Sequence, residues 1–302
     1  MGVLMTLPPL YKYLNVRGAK LTLSNRTFRH AKPSDFNDIE DMTVQSIFAE
    51  ETEAALKRLS EGFIDVILAH LNDPPTCASP MREKLILIQQ AYRNNPKAAE
   101  LAKAVLAKGD AKPLFDVEHM RARALTHIKD INEFMQRWRV LCVTTNNDSE
   151  KMWFEYAESH KGVALRIEPN VAKDSKFQRF QPVVYREKRP AFYDDTMEFI
   201  AGALFSDQEA RIRAVVEKIV YAKTLKWQHE CEYRLAIPLG TDEQPYDTMS
   251  YHSEEITEMY FGLAMDKADE HDIVSKAKAV NPDIAIFQMK RDPKGAMVFD
   301  RV

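Results

Sequence analysis

Apolar and polar residues alternate over several short stretches of the chain, which is the pattern of β-strands with one buried face. The pattern predicts strands near the start, in the middle and near the end, at residues 10–13, 20–28, 140–143, 163–167, 183–185, 258–262, 284–289 and 297–300. The run at 140–143 is continuously apolar, which fits a buried strand.

Apolar residues recur at helical spacing elsewhere in the chain. The first helical block covers 42–71 and then 81–93, 97–107 and 117–138, and later helices are predicted at 152–158, 194–222 (one helix or a pair) and 266–279. Helices that are grouped in blocks between strands indicate an α+β fold. We therefore predict a single α+β domain over 1–302, with a strand-rich core of antiparallel or mixed sheets and a large helical insertion at about 43–138.

One stretch has the sequence W-x-x-E-x-E-x-R, formed by Trp227, Glu230, Glu232 and Arg234, and leads into an apolar run at 235–237. Read as a strand, it places Glu230, Glu232 and Arg234 on one face, because every second side chain of a strand shares a face. Two interpretations follow. The residues form either a structural ion ladder in which Arg234 holds Glu232, with Trp227 as a buried anchor, or the acidic wall of an active site.

Composition limits the classes of function. The 302 residues carry a net charge of -3, which does not favour sequence-independent binding of nucleic acid. The mean hydropathy of -0.40 and the absence of a long apolar run predict no membrane span. Cys77, Cys142 and Cys231 have no metal-binding or disulfide spacing, so we expect no zinc site and a reducing, cytoplasmic location. The nine glycines form no phosphate-binding loop motif.

The segment after the predicted helix at 152–158 contains His160, Lys161 and Gly162. Glycine after a helix commonly supplies a left-handed residue, so we expect Gly162 to have that role. In this interpretation His160 is a structural residue near the end of the helix. The alternative interpretation is that His160 acts as a general base.

Several motifs occur in a fixed order: L-Y-K-Y at 10–13, P-S-D-F-N-D at 33–38, the strand at 140–145, M-W-F-E-Y-A at 152–157 followed by H-K-G-V, K-x-x-x-W-x-x-E-x-E-x-R at 223–234, and the stretch 259–262. This series resembles the bacterial family called domain of unknown function 2971. The resemblance covers most of the chain outside the helical insertion. The sequence departs from the family pattern at Ile39 and Glu40, which leaves Asp41 as the matching acid.

The order of the polar strands also resembles, more loosely, that of ADP-ribosyltransferases. That resemblance implies that the first strand contacts a nicotinamide nucleotide, that a hydroxyl-bearing strand shapes the nicotinamide pocket, and that Glu232 is catalytic with Glu230 assisting the acceptor. Cleavage of the nicotinamide bond builds positive charge on the ribose, which a fixed carboxylate stabilises. The implied NAD-binding residues are Tyr11, Lys12, Tyr13, Asn37, Asp38, Thr144, Thr145 and Arg234, and the candidates for pairing with the pyrophosphate are Lys12, Arg29 and Arg139.

These observations predict a nucleotide-handling enzyme, in its specific form an NAD-dependent ADP-ribosyltransferase or NAD glycohydrolase that acts as a toxin or anti-phage effector. NAD is the expected substrate, a protein or nucleic acid is the expected acceptor, and no membrane partner is expected. Two alternatives stay open. One is a non-catalytic sensor or interaction module whose helical insertion presents a partner surface. The other is a nuclease that holds a divalent cation with Asp38, Asp41, Glu230 and Glu232.

Overall fold

The computed structural model describes residues 7–107, 117–239 and 243–302. The described residues divide into two compact units. The sheet unit lies within Met1–Asp41, Gln136–Glu187 and Lys223–Val302, and the helical unit comprises Met42–Met135 and Lys188–Ala222. The helical unit thus contains most of the segment predicted as an insertion at 43–138, together with a second stretch of chain from 188 to 222.

A mixed sheet of ten strands forms the sheet unit. Its strands are β1 (Leu10–Leu14), β2 (Thr27–Ala31), β3 (Trp138–Thr144), β4 (Val163–Ile167), β5 (Gln181–Pro182), β8 (Glu232–Pro238), β9 (Tyr246–Ser250), β10 (Ile256–Phe261), β11 (Ala285–Arg291) and β12 (Met297–Arg301). The main path runs β12-β11-β10-β4-β1-β3-β2-β9, and β8 pairs with both β3 and β5. Only β10 and β11 pair in parallel among these described strands. The predicted α+β class is confirmed. Two short strands, β6 (Val184–Arg186) and β7 (Ala222–Thr224), lie outside this sheet.

One face of the sheet is apolar and carries two helices, α1 (Val16–Asn25) and α9 (Lys267–Val280). The buried side chains of this layer come from alternate strand positions and from the inner sides of both helices: Leu10, Leu141, Val143, Val163, Leu165, Leu235, Met259 and Phe261 from strands, and Ala19, Leu23, Ile273 and Ala277 from helices. Burial of such a continuous apolar layer is the main stabilising contribution to this unit.

The strand predicted at 20–28 is wrong, because a helix occupies most of it. The side chain of Asn15 accepts a hydrogen bond from the Gly18 amide at 2.7 Å and begins α1. Arg26, with φ 52°, ends the helix, and β2 starts only at Thr27. The residues that the helix buries recur at helical spacing, whereas Leu21 is half exposed.

The opposite face of the sheet is aromatic and polar. One cross-strand row runs over five strands and contains Glu258, Arg166, Tyr11, Thr144 and Glu232. Because paired residues of neighbouring strands lie side by side, this row brings residues from distant parts of the sequence onto one surface. A short helix, α6 (Glu150–Tyr156), follows the N-cap Ser149, so it starts and ends two residues earlier than the helix predicted at 152–158.

The helical unit contains α2 (Thr52–Ala69), α3 (Met81–Asn94), α4 (Pro96–Ala107), α5 (Val117–Met135), α7 (Thr196–Phe205) and α8 (Gln208–Val220). The predicted helix at 42–71 starts later than expected, at Thr52, and the segment 194–222 forms a pair of helices because Asp207 caps a new helix. Among the described residues, none of the helices combines the length and the apolar character that a membrane crossing requires.

Candidate active site

The sheet divides at β3. Strand β8 pairs with β3 along its whole length, whereas the other edge of β3 is shared between β1, which meets it at Thr144, and β2, which meets it at Val140. Between these two points, Cys142 has no paired residue in the described parts of β1 or β2. The carbonyl of Cys142 instead accepts a hydrogen bond from the Lys12 ammonium at 2.8 Å. This division opens a cleft in the polar face of the sheet.

The cleft encloses a cavity of about 440 Å³, which lies within the usual size range of small-molecule sites. Eight of the ten predicted site residues line it: Tyr11, Lys12, Tyr13, Asn37, Asp38, Thr144, Glu230 and Glu232. Its other ionisable lining residues are Arg29, Asp35, Asp41, Cys142, Tyr156 and Lys223. Arg234 and Thr145 are not among the residues that line the cavity. Arg234 contacts Glu232 and Asp41, and the Thr145 amide donates to the Cys231 carbonyl at 3.3 Å.

Glu230 and Glu232 do not belong to one continuous strand, so that part of the prediction is wrong. The residues Leu225–Glu230 form a 3-10 helix, Cys231 is left-handed with φ 43°, and β8 begins at Glu232. The two carboxylates still meet, because the Lys223 ammonium contacts Glu230 and also lies 3.2 Å from Glu232. Lys223 is a site residue that the sequence analysis missed, although it begins the K-x-x-x-W part of the recognised motif.

Glu232 is held ionised at the base of the cavity. The Arg234 guanidinium donates to both oxygens of Glu232, at 2.7 and 3.0 Å. Burial alone would raise the pKa of Glu232, but the charges of Arg234 and Lys223 lower that pKa to about 2. The structural interpretation, in which Arg234 holds Glu232, therefore describes this contact correctly. Asp41 completes the network by accepting from Arg234 at 3.0 Å.

Glu230 has different surroundings. One of its oxygens accepts from the Tyr156 hydroxyl at 2.5 Å and the other from Lys223. Burial raises the pKa of Glu230 against the opposing effect of Lys223, and burial next to Glu230 also raises the pKa of Tyr156, so that this phenol stays a donor. The nearby Asn37 side chain opposes this rise in the pKa of Tyr156. Two carboxyl groups with opposite pKa shifts thus line one cavity, an arrangement that separates acid from base roles in enzymes.

The remaining candidate residues differ in their relation to the cavity. Arg29 is at the cavity wall, pairs with Asp35 at 2.9 Å and lies over the Tyr246 ring. Arg139 is fully buried and donates to the backbone carbonyl of Gln136 at 2.8 Å, so it is not available to a ligand in the cleft. His160 lies 3.1 Å from Glu150 and does not line the cavity.

The left-handed residues before β4 are Glu158, Ser159 and His160, not Gly162 as the sequence suggests. Gly162 is required for a different reason. A Cβ atom at this position would lie 2.1 Å from the Leu14 carbonyl oxygen, so only glycine allows the start of β4 to approach the end of β1 this closely.

The three buried acidic side chains of the network form ion pairs with two basic side chains. Asp41, Glu230 and Glu232 meet Lys223 and Arg234 at ion-pair distances of 3.7 Å or less. Within the described ranges, no group of three or more His, Cys, Asp or Glu side chains is arranged to hold a metal ion. A divalent metal ion placed at these carboxylates would lie beside the positively charged side chains of Lys223 and Arg234, whose repulsion counts against the nuclease alternative.

The fold and cleft define an α+β protein with a polar, ion-paired cavity in the split of its sheet. Comparison with protein families adds one match. Residues 152–235, which include most of α6 and also Lys223, Glu230 and Arg234, match the model of a family described as protein of unknown function (DUF2971). The recognised resemblance to that family is thereby supported for this part of the chain. No curated protein matches the chain, and no solved structure matches it.

Proposed function

We propose that this protein is an NAD-cleaving enzyme, an NAD glycohydrolase or ADP-ribosyltransferase, with Glu230 as the carboxylate at the reaction centre. The observation that carries the proposal is the difference between the two glutamates of the cavity. Glu232 is bound by Arg234 through both oxygens, whereas Glu230 accepts one hydrogen bond from Tyr156 and contacts Lys223. Each Glu230 oxygen keeps a further lone pair for a ligand.

The reaction requires a negative charge near the ribose. As the bond to nicotinamide breaks, positive charge builds on the ribose carbon, and a fixed carboxylate in a site sheltered from water stabilises that charge. Glu230 meets this need because Tyr156 and Lys223 fix its position. In this proposal Glu232 positions Lys223 and Arg234, a role that differs from the catalytic role expected from the sequence.

The walls of the cavity provide groups that suit a nicotinamide nucleotide. Tyr11 and Tyr13 present aromatic rings, which suit a planar heterocycle. Asn37 and Thr144 offer hydrogen-bonding groups for ribose hydroxyls or the carboxamide. Arg29 is more than half exposed and is a suitable partner for a diphosphate at the cavity wall.

The test is nicotinamide release from NAD, measured by chromatography, for the wild type and the Glu230→Gln variant. We expect the variant to lose activity by a factor of about 100 or more, a typical cost of removing one transition-state-stabilising group. Glu258→Gln is a matched control. Glu258 lies on the same sheet face and also contacts a cation and a tyrosine, Arg166 at 2.6 Å and Tyr260, but it does not line the cavity.

Two results would contradict the proposal: a wild type that releases no nicotinamide, or a Glu230→Gln variant that is as active as the Glu258→Gln control. A thermal shift with NAD measures binding separately, because a ligand that binds only the folded state raises its stability. A third assay distinguishes ADP-ribosyl transfer from NAD hydrolysis. Transfer of label from NAD to a protein or nucleic acid indicates a transferase, and free ADP-ribose alone indicates a glycohydrolase.

The proposed setting as a toxin or anti-phage effector rests on the same activity. Expression of the wild type in growing bacteria should then lower cellular NAD or modify a cellular acceptor, and the Glu230→Gln variant should do neither. Unchanged NAD and unmodified acceptors under wild-type expression would remove this setting while leaving the in vitro activity as a separate question.

A further inference from the structure

The cavity contains two lysines with very different surroundings. Lys223 lies within 3.7 Å of three carboxylates, those of Asp41, Glu230 and Glu232. Lys12 forms no ion pair with the described residues and donates one hydrogen bond, to the neutral carbonyl of Cys142 at 2.8 Å. One amine is thus surrounded by counter-charges, and the other lies in the split of the sheet without one in contact.

This difference affects protonation. Burial lowers the pKa of Lys12, and the more distant Glu232 and Glu230 oppose this effect only in part. The other titratable groups that face Lys12 are the Cys142 thiol, whose pKa burial raises, and His30, whose pKa burial lowers to about 4. Both are neutral at pH 7. Lys12 therefore has a larger neutral fraction than an exposed lysine, and a neutral amine is a nucleophile.

We propose that Lys12 is an imine-forming residue whose amine adds to the aldehyde carbon of an uncharged hydroxy-aldehyde held in the cleft. The amine nitrogen forms a bond to the carbonyl carbon and gives a carbinolamine, which then loses water to leave a protonated imine. The protonated form of Glu230, not the carboxylate that NAD cleavage uses, supplies the proton to the departing hydroxyl and is left ionised; its carboxyl group lines the same cavity. This inference goes beyond the cleavage of NAD and does not depend on it.

The charges that act on Lys12 favour an uncharged ligand at this end of the cavity. The carboxylates nearby are those of Glu230 and Glu232, so an anionic carbonyl compound such as an oxo acid is disfavoured beside Lys12. The diphosphate proposed for NAD is placed instead at Arg29 on the cavity wall. Asn37, Thr144 and Tyr11 also line the cavity and offer hydrogen bonds to hydroxyl groups. An aldehyde that carries several hydroxyls, as in the open-chain form of a small sugar, matches this lining.

The experiment is reductive trapping on the wild-type protein. Glyceraldehyde and cyanoborohydride are added at pH 7, the hydride reduces any imine to a stable secondary amine, and peptide mass mapping measures the labelling rate of each lysine. We expect Lys12 to label about tenfold faster or more than the exposed Lys161, because burial lowers the pKa of Lys12 and one unit of pKa changes the neutral fraction about tenfold. Pyruvate, an anionic carbonyl compound, should label Lys12 more slowly than glyceraldehyde.

Three variants extend the test. Glu230→Gln should slow the labelling of Lys12 about tenfold while the rate at Lys161 stays unchanged, and Glu258→Gln should leave both rates unchanged. Lys12→Gln should remove the rapid labelling at this position. A thermal melt shows whether the variant folds. If the variant does not fold, the labelling rates of the wild-type lysines test the proposal by themselves. Labelling of Lys12 no faster than Lys161 would overturn the proposal, and faster labelling by pyruvate would overturn the class of ligand.

Discussion

Asp41 and Arg234 lie 193 positions apart in the sequence, yet their side chains form a two-point ion pair with one N–O distance of 3.0 Å. Both side chains are almost completely buried, with exposed fractions of 1% and 0%. The guanidinium also lies over the Phe36 ring, 5.8 Å from its centre. Through these contacts Arg234 fixes the segment 36–41, which supplies Asn37 and Asp38 to the cavity.

Asp41→Asn should destabilise the protein strongly. The substitution removes the charge of Asp41 from a buried ion pair, while Arg234 keeps its contact with Glu232. Breaking a buried pair in this way costs about 3–5 kcal/mol in the free energy of unfolding. Urea denaturation followed by circular dichroism measures this change.

An exposed ion pair provides the control for Asp41→Asn. Lys290 and Asp300 lie 2.7 Å apart on neighbouring strands, and both side chains are more than half exposed. Exposed pairs contribute about 1 kcal/mol or less, so Asp300→Asn should have a small effect. Equal losses for the two variants would show that burial of the Asp41 pair has no special energetic consequence.

Local patterns were sufficient for much of the sheet. Strand β4 matches its prediction at both ends, because its apolar positions are bounded by Gly162 and by Glu168 and Pro169. Helix α1 was missed because Leu21 and Leu23 also fit the alternation of a strand. The deciding information was the cap formed by Asn15, which a pattern of apolar positions does not contain.

The candidate site was predictable in part. The shared face of Glu232 and Arg234 follows from strand geometry, since both lie in β8. The break at Cys231 was not predictable from the pattern, because a non-glycine residue in the left-handed region depends on its tertiary surroundings. The contacts of Lys12 with Cys142 and of Arg234 with Asp41 join residues more than 100 positions apart, and a single sequence does not specify such pairings.

Tyr156→Phe should change the pH dependence of any activity that requires ionised Glu230. The hydroxyl of Tyr156 donates to Glu230 at 2.5 Å and thereby favours the charged carboxylate. Its loss raises the pKa of Glu230 further, so the carboxylate forms only at higher pH. In NAD cleavage, the acidic limb of the pH profile should move to higher pH and the rate should fall about tenfold.

The matched control is Tyr260→Phe, which removes the hydroxyl that donates to Glu258. This variant should leave the acidic limb in place. A direct titration of the Glu230 carboxyl carbon by NMR checks the same prediction without an enzymatic assay. An unchanged Glu230 titration in Tyr156→Phe would contradict the role given to the tyrosine.

His30 should make the protein less stable in mild acid. Its ring is fully buried and burial lowers its pKa to about 4, below the ordinary value of 6.5. Between these two values the unfolded chain binds a proton that the folded chain does not, so stability rises with pH over this window and falls as pH drops through it. The loss between pH 6.5 and 4 should be about 3 kcal/mol.

His30→Gln tests this origin. Unfolding free energies measured by urea denaturation at several values between pH 4 and 6.5 should show a shallower slope than in the wild type. His271→Gln, at an exposed position on α9, serves as the control and should keep the wild-type slope. An identical slope in His30→Gln and wild type would assign the acid sensitivity to other groups.

Gly162→Ala should be much more destabilising than Gly295→Ala. The added methyl group at 162 would lie 2.1 Å from the carbonyl oxygen of Leu14, which is backbone and does not move without displacing β1. We expect a loss of about 3 kcal/mol or more, in the range of severe overpacking. Gly295 has φ +83° and no atom within 4 Å of its added Cβ, so only the strained backbone conformation contributes, about 1 kcal/mol. Thermal unfolding of both variants separates the effect of close approach from that of backbone strain. Wild-type stability in Gly162→Ala would show that β1 and β4 do not approach each other as closely as described.

A folded Gly162→Ala variant should also bind cavity ligands more weakly than the wild type. The reason is that β1, which the added methyl group displaces, carries Tyr11, Lys12 and Tyr13 into the cavity.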